Sequence, residues 1–199
     1  MKKIMFNDKY GLTQAVLDGR KTMTRRIIKG LNDDADVSEW GLDDKSPYII
    51  DYNDPKEKEF RPRYQLGEVI AIAQAYKDTP ATKDFFKDAD FIIKYKGTKG
   101  WNNKMFVKAD LMPHHIKITN VNVERLQDIS VEDCLKTGIG VWESPYYCEP
   151  CYHLPITSEK VVYYNTPGAA IAALIDKVNG KGTWKNNPWC FCYEFELID

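Results

Sequence analysis

The 199-residue chain lacks an apolar run long enough to cross a bilayer, and it contains no internal repeat and no low-complexity tract. Its N-terminal segment, residues 1–8, becomes polar too soon to be a signal peptide. Five cysteines, an odd number without an export signal, favour reduced thiols over a disulfide framework. These absences predict a cytoplasmic protein with no membrane association. No cofactor is expected.

The chain also lacks an excess of charge of either sign. It has 28 basic and 29 acidic side chains, and the net charge of −1 argues against a generally basic nucleic-acid coat protein. The distribution is nevertheless uneven. Residues 1–30 hold eight basic and two acidic side chains, whereas residues 31–60 hold ten acidic and three basic ones. A near-neutral chain can therefore still contain a strongly positive site in its first thirty residues.

The length fits one domain, and 43% hydrophobic residues suffice for a core. We predict a single domain over residues 1–199, with irregular surface insertions at about 31–60 and 139–164. Apolar spacing and capping residues predict three helices, at 11–18, 131–137 and from Pro167 to Gly180. Strands are predicted near 27–28, 69–73, 91–95, 115–126 and 189–197.

The order of these elements indicates the fold class. No βαβ rhythm appears, which disfavours a parallel doubly wound sheet. In the segment 115–126 the apolar parity changes near Thr119-Asn120, which predicts a β-bulge or a strand that changes its buried face. We therefore predict an α+β fold built on a small, mostly antiparallel β-barrel that is decorated by helices.

The first candidate site directly follows the first helix. Four cations and two hydroxyls occur within eight residues there. With the preceding glycine, the candidate ligand-binding residues are Gly19, Arg20, Lys21, Thr22, Thr24, Arg25 and Arg26. Arginine offers a planar fork of donors to phosphate or carboxylate, and lysine offers a compact charge. The segment is too polar for a core element, so we interpret it as a loop that leads into a strand. The alternative is a solvated basic turn.

This segment resembles the signature of the ASCH domain, a branch of the PUA-like superfamily, which has the form G-x-K-x-x-[E/T]-x-R. Gly19, Lys21, Thr24 and Arg26 match it. The wider segment 17–26 resembles the L-x-G-R-K-T-x-T-R-R opening of a bacterial and phage group. Three further segments resemble motifs of that group in family order. They are 67–72, the stretch from Met112-Pro113 to Ile129-Ser130, and Asn187-Pro188-Trp189 with Tyr193-Glu194-Phe195.

The resemblance implies a PUA-like barrel with the signature at the mouth of a cleft, and a role near RNA or modified nucleotides. Some small ASCH proteins hydrolyse the amide of N4-acetylcytidine with a Lys and a Thr of the signature and a downstream Glu. Lys21 and Thr24 match the first two. Repulsion from neighbouring cations can lower the pKa of a lysine, which would let Lys21 act as a base.

Two positions depart from the pattern that the resemblance implies. The position of the Glu is occupied by Thr137, and Glu132 or Asp133 could replace it only if the helix were shifted by about one turn. Ala73-Gln74 stands where relatives often have Arg-Glu. Two functions of the cleft therefore remain open. One is the binding of RNA or a modified nucleotide, and the other is an amidohydrolase that acts on an acylated nucleobase or nucleoside. A third possibility is that the insertions bind a protein partner while the cleft has lost its function.

A second candidate site is a C-x-x-C motif, formed by Cys148 and Cys151 and followed by His153. Such a motif can supply half of a zinc site, and Cys190 with Cys192, on one face of the last predicted strand, could complete a set of four. Since no second C-x-x-C exists, a pair of reduced loop thiols is the alternative. We predict no metal site.

Overall fold

A computed structural model describes residues 1–31, 40–43, 46–82, 89–143, 149–154 and 161–199. The fold is mixed α+β, as predicted. The strands are β1 (Lys3–Ile4), β2 (Met23–Ile27), β3 (Trp40–Asp43), β4 (Ser46–Asp51), β5 (Lys58–Phe60), β6 (Val69–Ile72), β7 (His115–Arg125), β8 (Gly140–Trp142), β9 (Cys151–His153), β10 (Tyr163–Tyr164) and β11 (Trp189–Leu197). The helices are α1 (Leu12–Leu17), α2 (Ala89–Tyr95), α3 (Lys99–Asn102), α4 (Val131–Lys136), α5 (Pro167–Asn179) and α6 (Thr183–Asn186). None of the helices described is long and apolar enough to cross a membrane.

The central sheet has the strand order β1-β6-β7-β11-β2. Its pairings are antiparallel except for β1 with β6, which is parallel. The register between β7 and β11 shifts where Glu194 pairs with Asn120 and Phe195 pairs with Ile118, so that Thr119 is the extra residue. The predicted bulge at Thr119-Asn120 is thus confirmed.

The main core lies on one face of this sheet. Ile116 and Ile118 of β7 and Tyr193 of β11 are almost completely buried there, and Ile171 of α5 packs against the same cluster. Burial of each such side chain contributes about 1.5–3 kcal/mol. The helix caps follow the sequence signals. The Ser130 hydroxyl accepts from the backbone N–H of Asp133 at 3.0 Å, and the Thr166 hydroxyl accepts from that of Ala169 at 3.1 Å.

The two predicted insertions are not simply irregular surface. Strands β3, β4 and β5 form one antiparallel sheet, and β8, β9 and β10 form another. Ile49 of β4 and Leu154, which follows β9, are buried in the main core cluster. The interpretation of residues 31–60 and 139–164 as surface segments is therefore wrong for these positions, because each segment contributes apolar side chains to the core.

A strand predicted at residues 91–95 is wrong as well, because this segment lies in α2. Its aromatic residues are four positions apart and therefore meet on one face of the helix. The ring centroids of Phe91 and Tyr95 are 4.7 Å apart, and both rings contact Tyr76. Ile93, which a half-buried strand would cover, is 74% exposed.

Candidate functional site

The second half of the basic segment 19–26 lies on a strand rather than on a loop. Strand β2 pairs with β11, and Thr24 lies opposite Tyr193 while Arg25 lies opposite Cys192. Lys21 and Thr24 are buried, at 5% and 7% exposure. The predicted loop is therefore wrong for residues 23–26, which lie in β2, whereas residues 20–22 precede the strand. Polar side chains are tolerated in this strand because they find buried partners or face a cavity.

A cavity of about 980 Å³ opens beside β2. Its cationic lining residues are Lys9, Lys21, Arg25, Arg26, Lys29 and Lys104. Asp8 is the one carboxylate among the lining residues that the structure describes, and it already pairs with Lys104 at 2.7 Å. Helix α5 supplies an apolar wall with Ile171, Leu174, Ile175 and Val178. The cavity thus combines positive charge with an apolar surface, which suits an anionic ligand that carries a flat apolar group.

Lys21 is fixed at the edge of the sheet by backbone contacts. Its N–H donates to the carbonyl of Ala15, and its Nζ donates to the carbonyls of Met23 at 2.6 Å and Thr137 at 3.0 Å. The pKa of Lys21 is lowered to about 7, mainly by burial and further by repulsion from Arg26 and Arg25. Near neutral pH this amine is therefore present in both its charged and its neutral form.

Thr137, which the resemblance to ASCH proteins aligned with a catalytic Glu, lies beside Lys21 and lines the cavity. Its hydroxyl donates to the carbonyl of Cys134. The two carboxylates considered as substitutes are engaged elsewhere. Glu132 is exposed and contacts Lys136, and Asp133 contacts Arg25 and Lys136. Within the described part of the chain, both hydrogen-bond acceptors of the Lys21 Nζ are carbonyl oxygens, so no carboxylate replaces the Glu there.

Arg25 and Arg26 point to opposite faces of β2. The Arg25 side chain is 3% exposed, and its Nη2 lies 2.6 Å from Glu124 Oε1 and 3.5 Å from Asp133 Oδ2. Arg26 Nη2 donates to the carbonyl of Met5 at 2.8 Å, which connects the edge strand β2 with the chain that follows the other edge strand, β1. The Phe6 ring lies within 6 Å of both the Lys21 and the Arg26 charge.

The remaining signature residues do not line the cavity. Gly19 has a φ of +71°, as expected for a glycine after a helix, and Arg20 pairs with Asp18 on the surface. Thr22 holds the segment through its backbone, donating to the carbonyl of Lys136 and accepting from Phe195 N.

Gln74 is buried outside the cavity lining, and its Oε1 has no hydrogen-bond partner in the described structure.

Several lining residues were not predicted from the sequence. Lys9 and Lys29 belong to the basic segment 1–30, which was the available signal. No sequence pattern around Lys104 indicates that it lines the cavity, where its Nζ donates to the carbonyl of Phe6. Of the C-x-x-C motif, Cys148 lies outside the described residues, and Cys151 is a partly exposed free thiol on β9.

Gly138 allows Lys21 to approach the end of α4. Its φ is +92°, and a Cβ added there would lie 3.0 Å from Lys21 Cβ and 3.1 Å from Ala15 Cβ. Gly19 has a similar φ but open space around it. We expect Gly19→Ala to cost about 1–2 kcal/mol from the backbone conformation alone. Gly138→Ala should cost about 1–3 kcal/mol more because of the crowding.

Urea unfolding of the two glycine variants measures this difference directly, since the backbone cost is shared and the contact is not. Equal losses of unfolding free energy would show that Gly138 is not needed for the close approach of Lys21.

Comparisons of the chain with protein-family models, with curated proteins and with solved structures found no match. The fold and site thus define the chain as an α+β protein with a basic, partly apolar cavity at the edge of its central sheet.

Proposed function

We propose that the cavity binds RNA or a modified nucleotide, and that the chain is an ASCH protein. The observation that carries the proposal is that Lys21, Thr24, Arg25 and Arg26 of the signature line one cavity. Lys29, which is exposed and has no ion-pair partner in the described structure, is available to a phosphate at its edge. The apolar side of α5 and the Phe6 ring would contact the base.

A PUA-like barrel is part of this proposal. The bond from Arg26 to the Met5 carbonyl supports it, because that bond brings the two edge strands of the central sheet together. The bulge in β7 supports it too, since bulges increase the coiling that a closed sheet needs.

Fluorescence anisotropy with a short labelled single-stranded RNA tests the binding function. We expect Lys21→Met combined with Arg26→Met to weaken binding at least tenfold, because the variant keeps side-chain length and removes two basic groups from the cavity lining. The dependence of the logarithm of affinity on the logarithm of salt concentration should become shallower by about 1 for each lost phosphate contact.

Arg20→Met combined with Lys185→Met removes the same charge outside the cavity lining and serves as the control. Its affinity should stay within about twofold of that of the wild type at moderate salt, since distant charges are screened. Absence of RNA binding by the wild type, or equal weakening in both double variants, would refute a binding site in the cavity.

One observation favours an amidohydrolase as the second candidate function. The lowered pKa of Lys21, caused mainly by burial, provides a neutral amine next to the cavity that Thr24 also lines. Such an amine could take a proton from the Thr24 hydroxyl or from a water that attacks an amide. The lack of a described carboxylate beside Lys21 predicts slow turnover.

Incubation with N4-acetylcytidine, followed by chromatography of cytidine and acetate, tests this activity. Turnover should disappear in Lys21→Met and should increase in Thr137→Glu, which returns a carboxylate to the cavity wall. If the wild type releases no product, or if turnover survives Lys21→Met, the catalytic proposal fails while the binding proposal stands.

A further inference from the structure

Two thiols and a carboxylate meet on the face of the central sheet opposite to the main core. Glu124 of β7 lies directly across from Cys190 of β11, and Cys192 follows two residues later on the same face. One ligand atom from each of these residues lies within 4.8 Å of the others. Adjacent strands thus hold three potential metal ligands in fixed register, and none of the three lines the cavity proposed to bind nucleotides.

The distances suit a tetrahedral metal ion. The two Sγ atoms are 3.7 Å apart. A zinc ion with Zn–S bonds of about 2.3 Å and tetrahedral angles separates two sulfurs by about 3.8 Å. The Cys192 Sγ lies 3.0 Å from Glu124 Oε1, and a separation of about 3.5 Å would accommodate the ion, so the carboxylate needs to move only slightly.

Burial and charge favour the same interpretation. Cys190 and Cys192 are 0% and 4% exposed, while the Glu124 side chain is 24% exposed and gives access from solvent. Arg25 donates to the same Glu124 Oε1 at 2.6 Å, so Arg25 would hold from outside the oxygen that faces the two thiols. Two thiolates, one carboxylate, a divalent ion and the Arg25 cation sum to zero charge, which reduces the cost of burial.

We propose that Cys190, Cys192 and Glu124 form a binding site for a zinc-type divalent cation, with Arg25 as the outer partner of the carboxylate. The metal binds as the two thiols lose their protons to solvent. Three protein ligands leave the fourth position to water, on the side where Glu124 is exposed. Cys151 does not belong to this group, so the four-cysteine set considered from the sequence is not formed by these residues.

Titration of the reduced full-length protein with Co²⁺ tests the site. We expect one equivalent to produce a thiolate-to-cobalt charge-transfer band, which Zn²⁺ then displaces. The band should disappear in Cys190→Ser combined with Cys192→Ser and should remain in the control Cys151→Ser. A band that survives the double variant would locate the metal elsewhere, and no band at all would overturn the proposal.

A measurement on the wild type avoids the question of whether buried variants fold. The zinc X-ray absorption spectrum of the loaded protein should show two sulfur neighbours and two oxygen neighbours. Four sulfur neighbours, or none, would contradict the assignment. Zn²⁺ should also raise the melting temperature of the wild type in proportion to the logarithm of its concentration, and Glu124→Gln should reduce the affinity at least tenfold.

Discussion

Replacement of Arg25 by methionine is expected to lower the free energy of unfolding by about 2–4 kcal/mol, as measured by urea unfolding. The side chain is almost completely buried, and it lies 2.6 Å from Glu124 and 3.5 Å from Asp133. Methionine keeps most of the volume, so the loss comes mainly from leaving Glu124 without its cation. Since Glu124 is 24% exposed, water solvates part of its unpaired carboxylate. The expected loss of unfolding free energy is therefore smaller than that for a fully buried ion pair.

Arg20→Met is the matched control, because its partner Asp18 and its own side chain are both exposed. It should change stability by less than about 0.5 kcal/mol. Adding Glu124→Gln to Arg25→Met should recover part of the loss, since the double variant leaves no unpaired charge at that position. Similar losses for Arg20→Met and Arg25→Met would show that the Arg25 pairs contribute no more than a surface ion pair.

The sequence predicted the elements whose signals are local. Capping by Ser130 and Thr166 depends on a side chain and a backbone N–H three residues away, and the parity change at Thr119-Asn120 fixes the bulge within one strand. The strand prediction for residues 91–95 was wrong because Phe91 and Tyr95 satisfy a helical spacing as well as a strand alternation. Their contact with Tyr76 decides for the helix, and it is not visible in the local pattern.

In the candidate site too, local sequence patterns were informative, whereas contacts between distant residues could not be predicted. Of the residues that the signature singled out, Lys21, Thr24, Arg25 and Arg26 line one cavity, and their role there stays a prediction. The placement of Thr24, Arg25 and Arg26 on β2 could not be predicted, because a charged residue such as Arg25 is accommodated there by Glu124, which lies 99 residues away in the sequence. Thr137, singled out by its spacing from the signature, contacts Lys21, whereas the hydrogen bond from its hydroxyl to the carbonyl of Cys134 was visible only in the structure.

Lys21 should make the protein more stable as the pH rises, whereas a lysine whose pKa is raised by an ion pair makes a protein less stable as the pH rises. Burial is the largest cause of the lowering of its folded-state pKa from 10.5 to about 7. Between these values the unfolded chain binds more protons than the folded one, so the contribution of Lys21 to stability rises with pH. The unfolding free energy of the wild type minus that of Lys21→Met should therefore increase from about pH 7 upward, with a slope approaching about 1.4 kcal/mol per pH unit.

Subtraction of the Lys21→Met curve removes the contributions of other groups, including Tyr193, which begins to lose its proton near pH 10 in the unfolded chain, whereas in the folded protein burial raises its pKa to about 12. The bonds to Met23 and Thr137, which methionine lacks, add an offset to the difference, so it is the slope with pH that reports the titration of Lys21. Lys185→Met, at an exposed position, should give a curve parallel to that of the wild type. If the Lys21→Met curve were parallel too, Lys21 would be fully charged in the folded protein, and a neutral amine beside Thr24 would no longer support the amidohydrolase.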